Sequence, residues 1–86
     1  MSEELVSVCI PAYNSGRFIV RTIESILNQT YKNIEIVVVD DCSSDDTVDK
    51  VKSIKDDRIK LIVNEANLGM SRNWDKCVRS CSGRYV

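Results

Sequence analysis

Ile34-Glu35-Ile36-Val37-Val38-Val39-Asp40-Asp41-Cys42-Ser43-Ser44-Asp45-Asp46-Thr47 is the stretch on which the fold of this 86-residue chain turns. Its first half is β-branched and nearly continuous, without the alternation of a strand that has one wet face. That pattern fits a strand covered on both sides, as in a parallel sheet. Its second half breaks into an acidic loop. Ser43 or Ser44 is placed to cap a helix with Asp45 and Asp46 in its first turn and Val48, Val51 and Ile54 as its buried stripe, ending near Lys55.

Upstream, the apolar run Leu5 to Ile10 reads as a strand stopped by Pro11, which lacks a backbone donor. Ile19, Ile23, Ile26 and Leu27 then recur at helical spacing between Arg17 and about Gln29, leaving Arg17, Arg21, Glu24 and Asn28 for solvent. Downstream, Ile59 to Val63 predicts a third strand. Met70, Trp74, Cys77, Val78 and Cys81 mark the buried face of a third helix, with Gly83 as its C-cap. Tyr85 and Val86 read as the start of a fourth strand, so the chain is expected to stop mid-element. Alternating strands and helices predict an α/β fold with a parallel, Rossmann-like sheet: three strands alternating with three helices, plus a strand stub.

Composition agrees with one small globular unit. Hydrophobic residues make up 43% and charged residues 29%, and a chain this short buries only about 60 to 65% of its unfolded surface. A net charge of -1, with no basic cluster, excludes a polyanion-binding field. Nucleic acid is therefore not an expected partner. The opening Met1-Ser2-Glu3-Glu4 is acidic where a signal peptide is basic, and the apolar run after it is too short to span a bilayer. A soluble, cytoplasmic segment is expected. Four cysteines without a C-x-x-C, and no histidine, argue against zinc. Cys9, Cys77 and Cys81 read as small buried hydrophobes.

In an open α/β sheet, ligands sit at the carboxyl ends of the strands. Three loops converge there: Pro11-Ala12-Tyr13-Asn14, Asp40 to Thr47, and Asn64 to Gly69. Adjacent carboxylates repel, so Asp40 and Asp41 need a donor or a cation. Asp41 is placed to accept from a base imide or a ribose hydroxyl, with Ser43 adding a contact. The alternative has Asp40 bonding its own turn and Asp41 merely solvated. Tyr13 either borders a flat base or covers a core edge. Asn67 and Gly69 either admit a ligand closely or form an ordinary turn. Arg72 and Asn73 fall in the first turn of the third helix, where Arg72 meets a phosphate or base carbonyl or is simply solvated. Neither G-x-G-x-x-G, nor a P-loop, nor G-x-S-x-G occurs.

Taken in order, Val6-Ser7-Val8-Cys9-Ile10-Pro11-Ala12-Tyr13-Asn14, Ser25-Ile26-Leu27-Asn28-Gln29-Thr30-Tyr31, Glu35 through Thr47, Asn67-Leu68-Gly69 and Gly83-Arg84-Tyr85-Val86 closely resemble the start of family 2 glycosyltransferases. The resemblance implies the nucleotide-binding half of a GT-A fold, and transfer of a sugar from a nucleotide-sugar, commonly a UDP-sugar, to an acceptor with inversion. It implies that Pro11, Ala12, Tyr13 and Asn14 border the base and ribose, that Asp41 bonds the base, and that Asp40 supports the loop. Gly69 with Arg72 or Asn73 would close the other side or approach the diphosphate. The chain departs from the pattern at Ser15-Gly16, where many members carry Glu, and in the short segment Met70 to Trp74.

The family's Asp-x-Asp metal motif and general base are expected beyond residue 86. Mg or Mn is thus expected in the full-length enzyme, with none bound by this segment, which alone should be inactive. The acceptor is unspecified. The parent enzyme is expected in the cytoplasm or at the cytoplasmic membrane face, and an uncovered sheet edge is expected to give weak self-association. Two rival readings are weighed. A sugar-nucleotide pyrophosphorylase needs a basic, Gly-rich loop after the first strand. A receiver-like signalling module needs acidic residues there and an Asp after the third.

Overall fold

The computed structural model describes residues 4 to 85, and Val86 lies outside them. The elements run β1 (Val6–Ala12), α1 (Ile19–Leu27), β2 (Ile34–Asp40), α2 (Thr47–Ser53), β3 (Ile59–Val63), α3 (Met70–Arg79) and β4 (Arg84–Tyr85). The sheet order is β3-β2-β1-β4 and every pair is parallel. Val6 aligns with Ile34 and Ala12 with Asp40, while Ile36 aligns with Ile59. β1, β2 and β3 therefore end together, Ala12 beside Asp40 and Asp40 beside Val63, and their following loops meet at one rim.

β2 explains why the sheet forms. Ile36 and Val38 pack with Ala12, Ile19, Ile23 and Val51 on the face covered by α1 and α2, whereas Val37 and Val39 pack with Cys9 and Cys77 under α3. All four β2 side chains are fully buried. At roughly 1.5 to 3 kcal/mol for each fully buried aliphatic side chain, a one-residue slip in register would be heavily penalised only if one face were wet. Here both faces are dry. Polar bonds near both ends of the strand add to the register, Glu35 to Ser7 and Ser82 and Asp40 to Ser43.

Several boundaries differ from the sequence expectation. Pro11 does not end β1; it aligns with Val39 inside the strand. The Val6 N–H donates to Asn33 O and Ala12 O accepts from the Asp41 N–H, so even-numbered residues of β1 bond to β2. The Pro11 nitrogen consequently faces the opposite side, where, among the described residues, β4 aligns with Val6 and Ser7, so its missing donor takes nothing from the β1–β2 ladder. α1 is shorter than expected, and α2 ends at Ser53 rather than Lys55.

Gly83 is not the cap of α3. The helix ends at Arg79 with Ser80 as its C-cap, whose N–H reaches Lys76 O and Cys77 O. Gly83 instead allows a close approach, since a Cβ there would stand 2.3 Å from Leu5 O. Its N–H donates to the Ser7 hydroxyl at 2.9 Å, and the Ser7 hydroxyl donates to Glu35, which also accepts the Ser82 N–H. Burial pushes the Glu35 carboxyl up, but these donors and Lys60 outweigh it and hold it below its ordinary value.

Cys9 and Cys77 are buried as expected, while Cys81 is only half-buried. The Cys9 and Cys81 sulfurs lie 3.0 Å apart, and the Cys77 thiol donates to Val37 O. Burial raises all three thiols, Cys81 to about 11. Among the described residues no helix is long and apolar enough to cross a membrane.

Candidate functional site

The acidic loop after β2 holds two carboxylates that answer to different donors. Asp40 is buried; its Oδ2 accepts the Ser43 N–H at 2.9 Å and its Oδ1 accepts the Ser43 hydroxyl at 2.5 Å. Between them Cys42 takes a left-handed φ of 61°. The Ser43 hydroxyl in turn accepts the Asn14 N–H, and Asn14 Oδ1 accepts the Ser44 N–H, both at 2.8 Å. This clasps the loop after β1 to the loop after β2.

Ser43 and Ser44 are therefore engaged away from α2 and do not cap it. The N-cap position falls on Asp46, which makes no side-chain cap bond, so Asp45 and Asp46 precede the first turn rather than lie in it; Asp45 Oδ1 accepts the Thr47 N–H at 3.0 Å and the Thr47 hydroxyl. Asp45 Oδ2 also accepts the Gly16 N–H, Thr47 Oγ1 accepts the Ser15 N–H at 2.8 Å, and Lys50 Nζ donates to Gly16 O. A Cβ on Gly16 would meet Asp46 Oδ1 at 2.2 Å, so Ser15-Gly16 is a tight seat for this acidic loop.

Asp41 reaches the other way, to the loop after β3. It is 3% exposed, not solvated. Its Oδ1 accepts Asn64 Nδ2 at 2.9 Å and the Leu68 N–H at 2.7 Å, and its Oδ2 accepts the Gly69 N–H at 3.0 Å. Burial alone pushes this carboxyl up. The Leu68 N–H, the Asn64 amide, the Gly69 N–H and the Lys76 ammonium more than reverse that, and the group stays ionised below its ordinary value. The expectation that an outside donor or cation must hold the two carboxylates is thus corrected: the chain supplies separate donors for each.

At the rim above Asp41 lies a cleft of about 810 Å³, lined by Pro11, Ala12, Tyr13 and Ser15 from one side and by Asn67, Gly69, Met70, Ser71, Asn73 and Trp74 from the other. This size suits a nucleotide-sized ligand. Tyr13 is 53% exposed and Trp74 48%, so two aromatic side chains border the opening. Gly69 has φ 90°, a Cβ there would meet nothing within 4 Å, and its backbone borders the cleft.

Of the residues singled out from sequence, Pro11, Ala12, Tyr13, Asp41, Gly69 and Asn73 line this cleft. Asn14, Asp40 and Ser43 do not; they clasp the loops that shape it. Arg72 is exposed and outside the lining. Asn73 is buried and its amide is spoken for, donating to Val39 O at 2.9 Å and accepting from Asn64 at 2.8 Å.

Met70 and Trp74, expected on the buried face of α3, instead face the cleft, and that face is carried by Asn73 and Cys77. Apolar spacing had no means of separating a core stripe from a ligand wall. The residue the sequence signal passed over is Asn64, 4% exposed at the end of β3, which joins Asp41, Asn73 and Lys76. Its one available signal was an Asn directly after an apolar strand at the ligand rim.

Residues 7–86 match the family described as Glycosyl transferase family 2. The chain is 47% identical over 83 residues to UDP-Glc:alpha-D-GlcNAc-diphosphoundecaprenol beta-1,3-glucosyltransferase WfaP of Escherichia coli, covering 96% of this chain and 33% of that protein. It is 38% identical over 84 residues to the putative teichuronic acid biosynthesis glycosyltransferase TuaG of Bacillus subtilis, covering 95% and 33%. Among solved structures, mannosyltransferase PcManGT from Pyrobaculum calidifontis in complex with GDP-Man and Mn2+ superposes with a TM-score of 0.84 at 26% identity, over 96% of this chain and 26% of that one. S. aureus TarS 1-349 in complex with UDP gives 0.82 at 29% identity, over 94% and 26%. The chain spans about a third of the length of those curated relatives.

Proposed function

The chain belongs to glycosyl transferase family 2, and from that premise we propose that its cleft receives the nucleotide of a nucleotide-sugar, a UDP-sugar in particular. In this reading the 86 residues form the Rossmann-like donor-binding part of a GT-A enzyme that passes the sugar to an acceptor with inversion. The observation that carries it is Asp41: a buried, ionised carboxylate at the wall of an aromatic-bordered cleft, whose Oδ2 accepts one N–H among the described residues. A carboxylate oxygen offers about two lone-pair sites, so Oδ2 has one left for a base imide N–H. The UDP and GDP-Man in the related structures support the ligand class.

The remaining roles follow from position. Tyr13 and Trp74 offer faces against which a base stacks. The backbone of Gly69 permits close approach. Asn14, Asp40 and Ser43 hold the loops in register, Asn73 fixes α3 to β2, and Arg72, exposed in the first turn of α3, is the cation free to swing toward a diphosphate.

A divalent metal would neutralise charge on the departing diphosphate when bound, and a related structure contains Mn2+. The residues present do not fit that role. Among the described residues no three His, Cys, Asp or Glu side chains group to hold an ion, and Asp40 and Asp41 bond separate N–H and O–H donors. We assign the metal carboxylates, and the base that activates the acceptor, to residues beyond these 86. The same divergence of Asp40 and Asp41 disfavours a receiver-like acidic site.

Calorimetric titration with UDP and UDP-glucose tests the reading. Saturable binding that is lost in Asp41→Ala is expected; equal binding in wild type and Asp41→Ala would remove Asp41 from the site.

A further inference from the structure

We propose that Lys76 is a positioning residue for the nucleotide site: its ammonium fixes the orientation of the Asn64 amide and thereby holds Asp41 in place for the base. This rests on the nucleotide reading of the cleft. Lys76 itself is outside the cleft lining, so its effect on the ligand runs through Asn64.

The argument starts from the two ends of an amide. Asn64 Nδ2 places its two protons on Asp41 Oδ1 at 2.9 Å and Asn73 Oδ1 at 2.8 Å. Turning the amide over would set Asn64 Oδ1 against those two acceptors, one of them charged. Lys76 Nζ stands 2.7 Å from Asn64 Oδ1. An ammonium has donors only, so that contact exists in one of the two orientations. Both protons and the oxygen of this buried side chain are therefore satisfied in a single direction, from Lys76 through Asn64 to Asp41.

The helix makes the arrangement possible. Asn73, Lys76 and Cys77 stand three and four residues apart on α3, hence on one face turned to the sheet. Asn73 anchors that face by donating to Val39 O, so Lys76 is held over the end of β3. Asp40 is turned to Ser43 and the Cys42 thiol to Glu65 O, Glu65 in the loop after β3 and Arg72 on α3 are exposed, and Tyr13 from the loop after β1 shares the cleft lining with Asp41. Lys76 is the cation whose field reaches Asp41 and favours its ionised form.

Two measurements on this chain test the proposal: UDP affinity from about pH 4 to about pH 8, and the titration of the Asp41 carboxyl carbon by NMR. In Lys76→Met the charge-assisted bond is gone. UDP binding should weaken about five- to tenfold, its loss on acidification should begin at higher pH than in wild type, and the Asp41 titration should move up. Lys76→Gln, which keeps a neutral donor, should fall between, and it carries the comparison should Lys76→Met not fold.

Wild-type affinity together with an unmoved acid limb in either variant would overturn the proposal. The two readings separate cleanly. Absence of UDP binding in wild type sinks the nucleotide site, yet an upward Asp41 titration in the variants would still establish the Lys76 linkage, and an unmoved one would refute it.

Discussion

Asn64→Leu removes the side chain through which the loop after β3 is tied to β2 and α3, and its cost can be worked from the structure. The substitution keeps the branched shape and the number of side-chain heavy atoms but deletes two donated bonds and one accepted bond. Asn73 Oδ1 loses its donor inside the protein, which costs about 1 to 3 kcal/mol for a buried unsatisfied acceptor. Asp41 keeps the Leu68 and Gly69 N–H groups but loses one of its three donors, a further roughly 1 to 3 kcal/mol because the acceptor is charged. Lys76 can turn to water at little cost. Burying the leucine methyl groups returns on the order of 1 kcal/mol.

A net loss of about 1 to 5 kcal/mol results, against a total stability of roughly 4 to 13 kcal/mol for a domain of this size. With a urea slope of about 1 kcal/mol per molar, the unfolding midpoint falls by about 1 to 5 M with the slope unchanged. A midpoint shift below about 0.5 M would refute the reasoning. It would mean that Asn64 is not the joint of the network.

Three further outcomes are expected. Gly83→Ala drives a methyl toward Leu5 O and should destabilise by about 1 to 3 kcal/mol in the same urea assay, the range for overpacking a tight contact; an unchanged midpoint would contradict the close approach. Acid should destabilise the fold through Asp41 and Glu35, whose carboxyls are held below their ordinary 3.8 and 4.5. A depressed folded pKa gives stability that is complete above the unfolded value and lost as pH falls through the folded one. The urea midpoint should therefore be flat above about pH 5 and decline below it, less so in Asp41→Asn; a rise on acidification would reverse the sign. Alkylation followed by mass spectrometry should label exposed Cys42 first and Cys9 and Cys77 only on unfolding, because burial raises those two thiols; rapid labelling of Cys77 would mean that α3 lifts from the sheet.

Much of this architecture was readable in the residues. The run from Ile36 to Val39 announces a strand dry on both faces, and Ile19 with Ile23 announces the helix that covers one of them. The placement of Tyr13, Asp41 and Gly69 on one rim followed from the sheet rule alone. Where the reading failed, the missing information was three-dimensional. Pro11 reads as a terminator because a sequence does not show that the nitrogen at this position points away from β2. Met70 and Trp74 read as core because a wall of a ligand cleft and a wall of the core share the same helical spacing. Asn64 and Asn73 are buried by hydrogen bonds to one another and to the ends of β2, and a hydrophobic pattern is blind to such pairs.

The central claim is that the cleft over Asp41 is where a nucleotide sits. Amide chemical-shift mapping of the chain with UDP tests it most directly. The account requires perturbations concentrated at Tyr13, Ser15, Asp41, Gly69, Ser71 and the Trp74 indole, around the cleft that those residues line. Shifts confined to the concavity between Glu24, Leu27 and Asp56, or no shifts at millimolar UDP, would contradict it.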